Sequence, residues 1–271
     1  MNNFLLALKT SFGFLSTIPV GITMEGLDEL VKRSYLQTIA GVVLGLMIGA
    51  FAFITETVMP DQISAVLIMV FIYYLTGLNH LDGLGDFGDG ATAHGSLEKK
   101  IKALKDVALG IGGVGYTVLA LLALYASISA LQAELIFFSD NAALMLAVSL
   151  LVAEIGAKQA MLTVAAFGKP IHEGLGSMII NSTTFPRYVV SFILGLVASV
   201  LAFGSIGVIG YLAAIMTAFV IINISNRHFK GVNGDCIGTA NEIARVIVLI
   251  AITLMVIAIN NGNGGLFWTL L

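Results

Sequence analysis

The chain has 271 residues, is 58% hydrophobic and only 11% charged, and carries a formal net charge of −3. Soluble domains are about 45–50% apolar and about 25% charged, so the apolar excess is surface for lipid, and the slightly acidic balance points away from nucleic-acid partners. The single cysteine, Cys236, excludes an internal disulfide and any multi-cysteine metal site.

Within a bilayer every backbone polar group must be satisfied internally, which leaves helices or a closed barrel. The apolar runs here are continuous and of helix length, without the alternation of barrel strands. The N-terminal stretch MNNFLLALKTSFGFLSTIPV is interrupted by Lys9 and lacks a small-residue cleavage site, so it reads as a short interfacial or re-entrant helix. Spans are expected at 37–58, 62–79, 109–131, 142–166, 188–203, 205–225 and 243–260. The expected fold class is all-α: a polytopic integral membrane helical bundle of about seven transmembrane helices plus the N-terminal helix, one transmembrane domain over 1–271. The tail at 267–271 is too short to span, and Trp268 fits an interfacial anchor.

The connections alternate in character. Those around Pro60 and Asp61, around Glu134 and Asp140, and around Gly204 hold no Lys or Arg. Those at 80–108, 167–187 and 226–242 hold Lys99, Lys100, Lys102, Lys105, Lys169, Arg187, Arg227 and Lys230, and the N-terminal segment adds Lys32 and Arg33. Positive charge flanking spans stays on the cytoplasmic side. The three polar loops, which also hold His80, His94, His172 and His228, are therefore expected to face the cytoplasm and converge there.

The first of these loops opens with NHLDGLGDFGDG at 79–90. Asp82, Asp86 and Asp89 are spaced four and three apart, so a helix puts the three carboxylates on one face. Like charges so placed repel, and desolvation near a membrane adds to the cost. A hard divalent cation relieves both, and Mg2+ favours carboxylate oxygens together with substrate phosphates and water. The bland alternative is a solvated loop with coincidental acids, which suits one Asp better than three. Glycines at 83, 85, 88 and 90 interrupt the acids and are expected to let a bulky ligand approach the backbone.

A second cluster, KDVALGIGGVG, places Lys105 and Asp106 before Gly110 and Gly113. Its formal match to G-x-G-x-x-G opens a membrane helix rather than following a strand, so no dinucleotide fold is implied. The glycines are candidates for phosphate contact at a helix N-terminus or for close helix packing. In the third cluster, NGDCIGTANEIAR, Asp235 and Glu242 lie two turns apart on one face, with Gly234 and Gly238 beside them. Glu242 at the start of a span needs a partner, either Arg245 three residues on or a metal. Glu154 and Lys158, four apart within a span, read as an internal ion pair. HEGLG at 172–176 is a polar loop that can touch substrate.

Acids converging from separate loops, without a Cys or Ser nucleophile arrangement, suggest metal-assisted chemistry on a phosphate. A carboxylate or histidine would take the proton from an attacking hydroxyl. NHLDGLGDFGDG followed by LKDVALGIGG, then EGLG and GDCIGTANE, with FLSTIPV near the start, resembles the cobalamin 5′-phosphate synthase family, the adenosylcobinamide-GDP ribazoletransferases. The resemblance spans essentially the whole chain. It implies transfer of the adenosylcobinamide phosphate moiety from adenosylcobinamide-GDP to α-ribazole or its 5′-phosphate, release of GMP, and Mg2+ as cofactor. It further implies a multi-pass protein of the cytoplasmic membrane, with a homo-oligomer compatible. Carried over by position, Asp82, Asp86, Asp89, Asp106, Asp235 and Glu242 become metal or phosphate ligands. His80, Asp82 and Asp86 become the catalytic set, with His80 a base or substrate contact, and Lys105, Gly110, Gly113, Gly234 and Gly238 contact the nucleotide.

Thr17 and Ala108 stand where that family has arginines, Val107 replaces a serine, and Arg245 replaces an acid. Three rivals use acidic motifs. Asn79 to Asp86 also fits the first motif of membrane prenyltransferases, whose second motif is missing here. The D-G-x-x-A-R run of CDP-alcohol phosphotransferases is missing too. A cation-coupled transporter would place its acids mid-span, whereas these lie at the inner ends.

Overall fold

A computed structural model describes residues 2–262. The expected anchor Trp268 and the tail at 267–271 lie outside the described residues. Eleven helices and one isolated β-bridge, between Pro170 and Val232, make up the regular structure among those residues. The chain opens with α1 (Asn3–Leu15) and α2 (Met24–Val31), then α3 (Leu36–Val58) and α4 (Asp61–Thr76). Three further elements follow: α5 (Asn79–Thr92), α6 (Leu97–Leu104) and α7 (Ile111–Phe138). The second half holds α8 (Ala142–Phe167), α9 (Leu175–Ser182), α10 (Phe185–Phe229) and α11 (Gly234–Asn260).

Helix α8 is the axis of the bundle. It packs against α3, α10 and α11, and it is the most buried of the long apolar helices. Lipid offers no hydrophobic drive between helices, so close backbone approach through small residues has to supply the contact. Gly41, Gly45 and Gly49 of α3 form that seam: a Cβ on Gly41 would sit 2.7 Å from Lys158 Cγ, and one on Gly49 would sit 2.7 Å from the Ala147 carbonyl.

Among the described residues the bundle is all-α, and five of its helices are long and apolar enough to cross a membrane, or six when α4 and α5 count as one broken span. Seven were expected from sequence, and two features separate the counts. Helix α4 has only 16 residues. The 45-residue α10 is non-helical at Phe203 and Gly204, where Gly204 takes φ 52°. Nineteen residues along one straight helix would span about 28 Å, yet Tyr211 Oη donates to the Phe192 carbonyl at 3.0 Å. The two arms of α10 therefore fold back on each other as an antiparallel hairpin, turning at the Gly204 where a connection was expected.

The 96° bend between α4 and α5 sets up the functional end. Gly77 ends α4 with φ 73°, a backbone state that glycine adopts without strain. Thr17 closes the exposed carbonyls: its amide donates to the Leu75 oxygen and its hydroxyl to the Tyr74 oxygen, both at 2.8 Å. Helix α5 then runs across the end of the bundle, outside the long spanning helices.

The polar connections meet at this end, as their composition led one to expect. The Val232 amide donates to the Lys169 carbonyl at 2.7 Å, the Ile171 amide donates to the Val232 carbonyl at 3.0 Å, and Lys100 Nζ lies 3.1 Å from His228 Nδ1. The acidic connections gather at the other ends of the same helices, where Gln132 donates to Glu56 at 2.6 Å and Asn260 donates to the Glu134 carbonyl at 3.0 Å.

Candidate functional site

A polar cleft of about 480 Å³ opens where α5, the connection after α6, the segment before α9 and the first turn of α11 come together. Asp86, Lys105, His172, Ser177, Asn233 and Asp235 are among its lining residues. Asp86 comes from the exposed face of α5. Asp235 is held in place by Asn233, whose side-chain amide donates to its carboxylate at 2.6 Å. Asn233 is also the N-cap of α11, accepting from the Cys236 amide at 3.1 Å. Gly234 is exposed with open space over its Cα, consistent with the close ligand approach expected there.

The charges in the cleft are unbalanced. Burial and then the neighbouring Asp235, Asp82 and Asp89 push the Asp86 carboxyl up to about 6. Lys105 is the one lysine or arginine among the lining residues. Two carboxylates from separate helices facing one space, one of them pushed upward by its acidic neighbours, form an all-oxygen donor set suited to a hard cation. Among the described residues no group of three or more His, Cys, Asp or Glu side chains is placed to hold a metal by itself.

The other expected ligands have different geometry. Asp89 accepts from the Gly110 amide at 2.7 Å and from the Gly113 amide at 2.8 Å, so its two oxygens sit on the N-terminus of α7. The anion at that helix end is thus a side chain of the protein, where a substrate phosphate was expected on Gly110 and Gly113. The exchange is steric as well, since a Cβ on Gly113 would lie 2.7 Å from Asp89 Oδ2. Asp89→Ala is expected to lower stability by about 1 kcal/mol through loss of this cap, read by thermal unfolding in detergent. Asp106 is exposed and accepts from the Ala108 amide at 3.1 Å, in the loop that carries Lys105 to the cleft.

Glu242 is buried away from the cleft in an ionic network. Its Oε2 accepts from Arg245 at 2.8 Å and from the Tyr73 hydroxyl at 2.9 Å, and its Oε1 accepts from Asn241 at 2.7 Å. Arg245 also reaches Glu154 at 3.1 Å, and Glu154 pairs with Lys158, the ion pair expected from their spacing. Of the two partners considered for Glu242 from sequence, the structure supplies Arg245.

The glycines of α5 serve packing where ligand access was expected. Gly83 and Gly238 let α5 and α11 cross at backbone contact: a Cβ on Gly83 would stand 3.0 Å from Asp235 Cα, and one on Gly238 would stand 3.1 Å from the His80 carbonyl. Gly88 admits the Tyr116 ring in the same way, at 2.8 Å. His80 lies at this crossing and lines a separate small cavity rather than the cleft. Burial, and then the charge of Lys158, push its pKa down to about 4, so the imidazole is neutral at pH 7. Sequence reasoning passed over Asn233 and Ser177. The one available signal for Asn233 was its place immediately before GDC, an N-cap position.

Among the described residues, a bundle of long apolar helices with an acidic, oxygen-rich cleft at one end has the build of a multi-pass membrane protein with a polar site at one end. The cobalamin-5-phosphate synthase family matches residues 7–253, and the chain belongs to that family, whose members are transferases of cobalamin biosynthesis. The adenosylcobinamide-GDP ribazoletransferase of Methanococcoides burtonii is 78% identical over 99% of both chains. That of Methanosarcina barkeri is 52% identical over the full length of both, and that of Pyrococcus furiosus is 33% identical over 90% of this chain and 97% of its own. No solved structure matches the chain.

Proposed function

We propose that this protein transfers the adenosylcobinamide phosphate moiety of adenosylcobinamide-GDP to α-ribazole or its 5′-phosphate in an Mg2+-dependent reaction, releasing GMP. The observation that carries it is the cleft itself: Asp86 and Asp235 meet across it with Lys105 at its edge, in a chain whose relatives bear that activity in their names.

Asp86 and Asp235, with Asp82 one turn before Asp86, would hold the metal, which when bound neutralises the charge of the diphosphate. The chain's own groups do the rest. Lys105, the C-cap of α6, offers a point charge to the phosphates. Asn233 fixes the Asp235 carboxylate, and the open backbone at Gly234 leaves room for the donor. A hydroxyl of the acceptor ribose attacks the phosphorus next to the cobinamide, and one P–O bond forms. The bond to the GMP oxygen breaks, and the hydroxyl proton passes to a carboxylate of the cleft. Asp89 and Glu242 act by position: one holds α7 against α5 and the other holds α11 against α8.

Purified protein given Mg2+, adenosylcobinamide-GDP and α-ribazole is expected to release GMP in step with consumption of α-ribazole. GMP release that ignores α-ribazole, or no release above the Asp86→Asn background, would sink the proposal.

The cleft end is further proposed to face the cytoplasm, supported by the concentration of Lys and Arg in the loops that meet there. Cys236 is buried, so Lys100→Cys provides a clean label. In intact cells it is expected to resist a membrane-impermeant maleimide and to react once the cells are opened.

A further inference from the structure

Beside the polar cleft lies a second, smaller space of about 120 Å³, bordered by Phe14, His80, Met161, Ile179 and Ile237. The two spaces are neighbours, for Leu175, Gly176 and Gly234 line both. Their chemistry is opposite. The cleft is rimmed by acids and a lysine, whereas the small cavity is walled by aliphatic, aromatic and thioether side chains with one polar group. That group is the His80 imidazole, which makes no side-chain hydrogen bond among the described residues. Either tautomer of histidine carries one N–H donor, and the imidazole of the partly buried His80 is the one polar side chain on the wall of this space.

Small-molecule pockets are mostly apolar with a few polar groups that fix orientation, and this space has that composition. At about 120 Å³ this space is smaller than an engineered apolar cavity of about 150 Å³ that holds a benzene ring in another protein, so one ring fills it closely and a fused second ring has to lie in the shared mouth. We infer that this cavity is the subsite for the base of the acceptor nucleoside, a benzimidazole-type ring seated against Met161 and Ile179 with its free ring nitrogen accepting from His80. The ribose then lies at the mouth formed by Leu175, Gly176 and Gly234, and its hydroxyls point toward Asp86 and Asp235. The inference rests on the proposed transferase reaction for the identity of the nucleoside. It assigns to His80 a substrate contact. It also explains why a histidine stands apart from the acids that follow it on the same helix.

The test narrows and widens the pocket. Ile179→Phe is expected to raise the KM for α-ribazole about tenfold or more, by filling space that a ring needs, while the KM for adenosylcobinamide-GDP stays put. Met161→Ala is expected to accept the ribonucleoside of a tricyclic naphthimidazole that the unaltered protein rejects. An unmoved acceptor KM in Ile179→Phe, or equal rises in both KM values, overturns the assignment. Binding of radiolabelled benzimidazole to the full-length protein, without donor, keeps the test independent of turnover. Saturable binding in the unaltered protein that disappears in Ile179→Phe supports the pocket even if no GMP is ever released, in which case the transferase reading alone fails. Absence of saturable binding in the unaltered protein overturns the pocket whatever the reaction does.

Discussion

Asp86→Asn is expected to lower GMP release by about 10²–10³-fold, the usual loss when one group that stabilises developing charge is removed, while the protein stays folded. The same substitution is expected to make the metal-free protein more stable at neutral pH. The Asp86 carboxyl is pushed above its ordinary range by burial and by Asp235, Asp82 and Asp89. A raised acid contributes stability that is fully present below its unfolded pKa and is lost as pH rises through the folded value, here about 6. Asparagine carries no such charge. At pH 8 the variant should therefore melt about 1–3 °C higher than the unaltered protein, a small effect because the side chain is partly screened by solvent. Below about pH 4, where the carboxyl is neutral in both states, the two should melt together. Activity lost while stability is gained marks a group kept for its chemistry.

Arg245→Met is expected to destabilise the protein by about 3–5 kcal/mol, the typical result of removing one partner from a buried ionic network. Arg245 bridges Glu154 on α8 and Glu242 on α11, and all three side chains are shielded from solvent. With Glu154, Glu242, Lys158 and Arg245 present, the formal charges cancel. Without Arg245 one negative charge is left over between α8, α11 and Tyr73 of α4. The double variant Arg245→Met, Glu242→Gln restores neutrality, because Glu154 keeps Lys158. It should recover much of the lost stability in a detergent unfolding series. A double variant no more stable than the single would show that charge balance is not what holds these helices together.

The acidic motif was legible because its chemistry is local. Asp82 and Asp86 are four apart on one helix, and that spacing alone puts both on one face of α5, from which Asp86 lines the cleft. The convergence of the polar loops was legible from charge, since membrane crossing sorts Lys and Arg to one side. Asp89 was not, because it matches its neighbours in type and spacing, and its role on the N-terminus of α7 exists only once α5 lies across that helix. The glycines between the acids were misread for the same reason: the small residue that admits a ligand also admits another helix, and Gly83 and Gly238 do the latter. For Glu242 the spacing left Arg245 and a metal both open, with the resemblance adding a ligand role, and Arg245 is the partner the structure supplies. The link to Glu154 depends on α8 and α11 packing side by side, which no local spacing encodes. The turn-back of α10 was visible at Gly204. The sharp bend after α4 was not visible, for it rests on Gly77 and on hydrogen bonds from Thr17, far away in sequence. The Thr17 amide and hydroxyl close the end of α4.

The measurement closest to the central claim is electron paramagnetic resonance of Mn2+ bound to the protein in the presence of adenosylcobinamide-GDP. If the cleft between α5 and α11 is the metal and diphosphate site, the unaltered protein and Asp89→Asn will both show a bound signal, and Asp86→Asn and Asp235→Asn will show none. Mn2+ held equally well by Asp86→Asn, or lost in Asp89→Asn alone, would contradict the account.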